Sequence, residues 1–261
     1  MSGYQLSRHP HQSKSARTPL LMVHGICHSG QCWVPHYAPF FTARGHDVYT
    51  LDLRGHGAER GQLDQYGLDD YVDDVLAALA QIDGKAVLVG HSMGGALVQK
   101  AMSRASEQVA AAVLLASMVP GSMTAREKLR LLRKPLSLLA LKRLLGGKPL
   151  TLAQTSRLPF LDGRLSVRQA ADAARWLQPE SKKALGELGS FTTPGGAQPF
   201  PMLVIGSRQD YLFGAGALQR TAAHYLTEAI ILEQGCHDLM LDPDWANSAG
   251  HIADWLAAQS L

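Results

Sequence analysis

Six short runs of β-branched and apolar residues, at 20–23, 47–51, 86–90, 111–116, 202–206 and 229–232, alternate with longer stretches of helical periodicity at 33–44, 69–82, 93–104, 214–225 and 243–258. No other feature constrains the fold as strongly. Strands joined through helices run parallel, and a parallel sheet needs helices on both faces to bury it. In the stretch 69–82, Tyr71, Val72, Val75, Leu76 and Leu79 form one apolar stripe, with Asp69 placed to cap it and Gly84 to stop it. The expected class is α/β, a mostly parallel sheet of six to seven strands with helices on both faces. Residues 1–18 are polar and expected as a tail, with the domain proper over 19–261.

One interval breaks the rhythm. Roughly 85 residues separate Ala116 from Met202, too many for a βα connection or a structureless loop. Helix-like stretches at 125–133, 136–145, 167–176 and 179–188 point to a helical cap inserted at 118–199. Charge marks the same interval. Residues 118–198 hold 14 Lys and Arg against 5 Asp and Glu, while the rest holds 11 and 17, so an acidic body carries a basic insert behind a net charge of only +3. The densest part, 126–148, has eight basic residues, one acid (Glu127) and a ladder of leucines, the pattern of amphipathic helices. Three uses fit it: a solvated face with leucines packed on the body, contact with an anionic membrane surface, or steering of an anionic substrate such as a fatty acyl carboxylate, phospholipid or coenzyme A thioester. Nucleic acid fits poorly, because no aromatic residue interleaves that charge.

Composition sets outer bounds. With 261 residues, 46% of them hydrophobic, the chain can bury one sizeable core. Its apolar runs reach about seven residues, far from the roughly twenty of a membrane span. Three cysteines, Cys27, Cys32 and Cys236, are an odd number without zinc-ligand spacing and read as reduced thiols packed as small apolar groups. The first 18 residues carry Arg8, Lys14 and Arg17 but no apolar centre, unlike a secretory signal, so the cytoplasm is the expected compartment.

Gly90-His91-Ser92-Met93-Gly94 follows the run 86–90 and opens a helix. A serine between glycines in a sharp strand-to-helix turn is a nucleophile elbow: side chains near it would clash, and the helix start favours developing negative charge. His24-Gly25-Ile26 follows the first strand, where a tight turn leaves a backbone N–H facing the same place. The amides of Ile26 and Met93 then form an oxyanion hole. His24 itself reads as a structural turn histidine. Eleven histidines compete to be the base. His237 is chosen because it follows the strand 229–232 by a short loop, at the carboxyl end of the sheet. Asp210, just past the strand 202–206, is the carboxylate that fixes its tautomer. Asp238 adjoins His237 and so points elsewhere, while Asp52 and Asp242 serve caps and turns.

With these residues in order, the chain resembles the α/β-hydrolase family along nearly its whole length. The resemblance rests on His24-Gly25, on Leu51-Asp52-Leu53-Arg54-Gly55-His56-Gly57, on the Ser92 elbow, on Gly206-Ser207-Arg208-Gln209-Asp210 and on Gly235-Cys236-His237-Asp238. The stretch from His24 to Trp33 is also similar to the plant methylesterase and hydroxynitrile lyase branch. The resemblance implies a serine hydrolase of carboxylic esters or thioesters working through an acyl-enzyme, with no cofactor or metal and a small-molecule substrate. A leucine-rich cap suits a medium or long acyl chain. Serine at position 92, where epoxide hydrolases and dehalogenases carry aspartate, argues against both chemistries, and Asp238 stands where the lyases carry lysine. The alternatives are a ligand-binding receptor on the same fold and a non-hydrolytic perhydrolase or lyase. The short amino-terminal segment implies that the family's first two strands are reduced to one, near 4–7, or are missing.

Overall fold

A computed structural model describes residues 3–13, 15–58, 61–121, 123–161 and 163–261. Lys14 and the side chain of Arg126, both counted above among the cations, lie outside that description. In chain order the strands are β1 (Gln5–His9), β2 (Arg17–Val23), β3 (His46–Asp52), β4 (Ala86–His91), β5 (Val109–Leu115), β6 (Met202–Ser207) and β7 (Ala229–Leu232). They form one sheet in the order β1-β3-β2-β4-β5-β6-β7, with β1 antiparallel to β3 and every other neighbouring pair parallel.

The helices of the body are α1 (Tyr37–Thr42), α2 (Leu68–Leu79) and α3 (Met93–Arg104) before the fifth strand, with α9 (Ala215–His224) and α10 (Trp245–Ala258) near the end. Between β5 and β6 lie α4 (Ala125–Leu132), α5 (Pro135–Leu145), α6 (Leu152–Thr155), α7 (Val167–Ala174) and α8 (Lys182–Leu188). No described helix is long and apolar enough to cross a membrane.

Strand alternation divides the core in two. Leu21, Val23 and Leu88 face Tyr71, Val75 and Leu97 of α2 and α3, whereas Leu20, Met22, Val87 and Val89 face Phe41 of α1 and Ile252 of α10. Because β4 and β6 are buried at every position, their sequences read as unbroken apolar runs.

Besides α6, which the sequence does not lead one to expect, and a later start for α8, three differences fall in the first half of the chain. Residues 33–44 do not make one helix: a short 3-10 turn covers Gly30–Trp33 and α1 starts only at Tyr37. Pro35, which has no amide to donate into a helix, separates the two. Helix α2 begins at Leu68, and Asp70 rather than Asp69 accepts the Gly67 amide at 2.8 Å. Asp69 instead pairs with Lys100 and Arg104 on α3. The stretch expected as a polar tail contains β1, the single amino-terminal strand that the resemblance allows near 4–7: Tyr4 and Leu6 pack against the core, and Arg8 reaches Asp47 at 2.6 Å.

Candidate active site

Strand β4 delivers Ser92 into a turn that no ordinary residue adopts at ease. Its φ of 54° and ψ of −116° lie outside the regions open to L residues, a strain of about 1–3 kcal/mol. The surroundings enforce it. The Ser92 amide donates to the Leu115 carbonyl at 3.2 Å, and the Ser92 carbonyl accepts from the Met118 amide at 3.0 Å. The flanking glycines are required by contact rather than by flexibility: a Cβ on Gly90 would strike the Gly94 carbonyl, and one on Gly94 would strike the carbonyls of Val23 and His24. The first turn of α3 is thereby pressed onto the end of β2.

The loop after β2 meets the same point. A Cβ on Gly25 would stand 2.8 Å from His91 Nδ1 and 2.9 Å from Ser92 Cβ, so the Gly25-Ile26 backbone runs directly against the serine. Ile26 is half-buried on the apolar core, and Met93 is the first residue of α3 and buried. Behind them His24 Nδ1 donates to the Gly25 carbonyl at 2.9 Å while Nε2 accepts the Leu53 amide at 3.3 Å. Burial, aided by the nearby His56, holds His24 neutral by lowering its pKa well below the usual value.

His237 follows β7 and faces Asp210, which follows β6. Nδ1 of His237 lies 2.8 Å from Asp210 Oδ2. The other oxygen, Oδ1, accepts the Leu212 amide at 2.7 Å and the Phe213 amide at 3.1 Å, which orients the carboxylate. Burial alone would raise the Asp210 pKa, but the facing imidazole and those amides outweigh it and hold the carboxyl below its ordinary range. An ionised Asp210 fixes the proton on Nδ1 and leaves Nε2 as the acceptor. That Nε2 is buried and has no hydrogen-bond partner among the described residues. His91 directly precedes Ser92, and its ring lies 4.7 Å from the His237 ring, centroid to centroid.

Two buried clusters were not visible in the sequence. Asp238 turns away from Asp210, as its adjacency to His237 dictates, and its carboxylate lies 3.1 Å from His28 Nε2 and 3.6 Å from His91 Nε2. Burial would neutralise this group too; His28 outweighs burial and keeps the Asp238 carboxyl below its usual range, and Asp238 in turn raises His28. His91 is pushed down to about 3 by burial and by His237, so it stays neutral. Donor atoms of His91, His237 and Asp238 all lie within 4.8 Å of one another, yet His237 is already held by Asp210.

The second cluster ties the inserted helices to the body. Glu180, fully buried, accepts from the Cys27 amide at 3.2 Å and from Tyr71 Oη at 3.3 Å, and it lies 3.1 Å from His56 Nε2. The Gln178 amide donates to the Cys27 carbonyl at 3.0 Å, so both sides of Cys27 in the loop after Ile26 are held from the insertion. A third tie comes from α4: Arg130 donates to the Asp210 carbonyl at 2.5 Å and to the Tyr211 carbonyl at 2.7 Å. The only sequence signal for Glu180 was an acid within a strongly basic segment. Cys27, Cys32 and Cys236 are buried free thiols whose pKa values burial raises well above normal. That is the state of small packing groups rather than reactive thiolates.

A parallel sheet with a strained serine at the end of a central strand, and a histidine-aspartate pair at the ends of the next strands, defines a hydrolase-type fold. Residues 20–249 match the alpha/beta hydrolase family, and the chain belongs to it. Esterase PIR7B of Oryza sativa subsp. japonica is 38% identical over 112 residues, 41% of this chain and 41% of that protein. Methyl jasmonate esterase 1 of Vitis vinifera is 34% identical over 104 residues, 39% and 40% of the two chains. Salicylic acid-binding protein 2 of Nicotiana tabacum is 35% identical over 106 residues, 40% of each. The matched stretch thus spans about two fifths of these curated relatives. Among solved structures, MenH from S. aureus superposes with a TM-score of 0.73 at 18% identity, covering 100% of both chains, and methylesterase MES16 from Arabidopsis with 0.70 at 18%, covering 92% and 99%. At those identities the likeness is one of fold.

Proposed function

We propose that the protein is a serine hydrolase that cleaves a carboxylic ester or thioester of a small molecule, with Ser92 as nucleophile, His237 as base and Asp210 as its orienting partner. In this reading His237 Nε2 takes the Ser92 proton as Oγ attacks the carbonyl carbon, and Asp210 stabilises the imidazolium. The tetrahedral oxyanion accepts from the Ile26 and Met93 amides. The alcohol or thiol leaves with the proton from His237, and water activated by the same histidine releases the acid from the acyl-enzyme. The observation that carries this reading is the 2.8 Å His237–Asp210 contact with Nε2 left without a partner, on a ring 4.7 Å from that of His91, the residue before Ser92. The relatives named as esterases support it.

The inserted helices act as a cap over the site in this reading, held to it by Glu180 and Arg130. Apolar surroundings support an apolar acyl or ester group: Phe213 lies 5.5 Å from the His237 ring, and Cys27 packs with Leu158, Phe160 and Leu161 of the insertion. Asp238, committed to His28, supports hydrolysis over the lyase chemistry that uses lysine there. Buried unpaired thiols support a cytoplasmic location. A ligand-binding receptor is the second reading, favoured by the relative named Salicylic acid-binding protein 2 and by a Ser92 only 5% exposed.

Hydrolysis of p-nitrophenyl esters from acetate to long-chain acyl, wild type against Ser92→Ala, separates the two. Chain-length-dependent turnover that vanishes in the variant is expected. Absence of turnover in folded wild type, with ligand-induced thermal stabilisation, would favour the receptor.

A further inference from the structure

We propose that the outer face of α4 and α5 is a docking surface for an anionic lipid bilayer. Leu129, Leu132, Leu136 and Leu139 are 57%, 67%, 57% and 54% exposed, at intervals of three and four along the two consecutive helices. They are not core residues out of register. On α5 a different stripe, Ser137, Ala140 and Leu144, is the buried one, about a quarter turn round from Leu136 and Leu139, and Ala140 and Leu144 pack with Cys27 and Phe160. Helix α5 thus packs on the body without Leu136 and Leu139, and α4 exposes Leu129 and Leu132 while fully burying none of its described residues, so folding gives these four leucines no reason to be apolar.

Charge identifies the occupant. Lys128, Arg133, Lys142 and Lys148 are exposed on the same segment, and its one acid, Glu127, is taken by Arg220 at 2.9 Å. A second copy docking through this face about a two-fold axis would set cations against cations. A bilayer with anionic headgroups meets both requirements, taking the leucines at the headgroup boundary and the cations at the phosphates. Arg130 on the same α4 holds the carbonyls of Asp210 and Tyr211, so docking would take place on a helix tied directly to the candidate active site. This inference goes beyond the catalytic reading and stands whether or not Ser92 is a nucleophile.

The test is co-sedimentation with phosphatidylcholine vesicles, with and without phosphatidylglycerol, for wild type, a Leu132→Asp/Leu136→Asp variant and a Lys128→Glu/Lys142→Glu variant. Wild type should pellet with the anionic vesicles only, and less so as salt rises. Both variants should lose about tenfold or more in vesicle partitioning, with Tm unchanged. Wild type left in the supernatant, equal binding to neutral vesicles, or variants that bind like wild type would overturn the proposal. A wild-type dimer in analytical ultracentrifugation that the leucine variant disperses would overturn it too and assign the face to self-association.

Discussion

At the carboxyl ends of β4, β6 and β7, polar side chains are buried; on α4 and α5, leucines are exposed. Both regions invert the usual distribution, and the difference lies in how each inversion is compensated. Asp210, Asp238 and Glu180 all sit inside, and each faces a histidine; Asp210 and Glu180 also accept amides, while Asp238 is compensated by the charge of its imidazole neighbours. Leu129, Leu132, Leu136 and Leu139 join none of the buried apolar clusters among the described residues. A buried polar cluster with its partners present is a machine already assembled, whereas an exposed apolar stripe is half of a contact whose other half lies elsewhere.

The largest expected effect is at the site. Asp210→Asn leaves the fold intact but allows the wrong histidine tautomer, and kcat for a p-nitrophenyl ester should fall about 10⁴-fold. A loss below about tenfold would detach Asp210 from the mechanism. Next is the tie between the regions. Glu180→Leu strands His56 and the Cys27 amide and should cost about 3–5 kcal/mol in urea unfolding, while Glu180→Gln, which keeps an acceptor, should cost less. Equal losses would make the contact one of shape only. Arg130→Ala should lower kcat by roughly 10- to 100-fold with little change in KM, since it loosens the loop that carries Asp210 rather than a substrate contact. Arg130→Lys should restore only part, because a single ammonium does not reproduce the guanidinium fork.

The pH dependence of stability follows from the buried histidines. His91, depressed to about 3, and His24, depressed well below normal, stay neutral in the folded state, so each withdraws stability as pH falls below about 6.5, where the unfolded chain takes up protons first. His28, raised by Asp238, acts in reverse: its contribution is complete below about 6.5 and is lost as pH rises through its folded value. His91→Gln should therefore flatten the acid side of a Tm-against-pH curve, and an unchanged slope would mean that His91 is not held neutral. The smallest effect closes the series: Leu132→Asp should change stability by no more than about 0.5 kcal/mol, because that leucine is 67% exposed.

What could be read from sequence was local. The strands and α3 follow from period and turn chemistry, and the elbow follows from glycines whose contacts lie within a few residues or on the adjacent β2. Asp210 and His237 were found because each sits one short loop past a strand. What escaped was long-range or imposed by one residue. Pro35 cut the expected helix short, and a strand near 4–7 is only one of the two outcomes that the family resemblance allows, because only Tyr4 and Leu6 of that polar segment touch the core. Glu180 meets His56 across 124 residues, a pairing that no spacing rule reaches. His28 was invisible as an ionic partner because its role depends on which way Asp238 points.

The central claim is that Ser92 carries the acyl group, and mass spectrometry of protein treated with an active-site-directed fluorophosphonate tests it most directly. One adduct per chain on the peptide containing Ser92, absent in Ser92→Ala together with ester turnover, is the predicted result. Labelling of a different residue, or full turnover in Ser92→Ala, would contradict it.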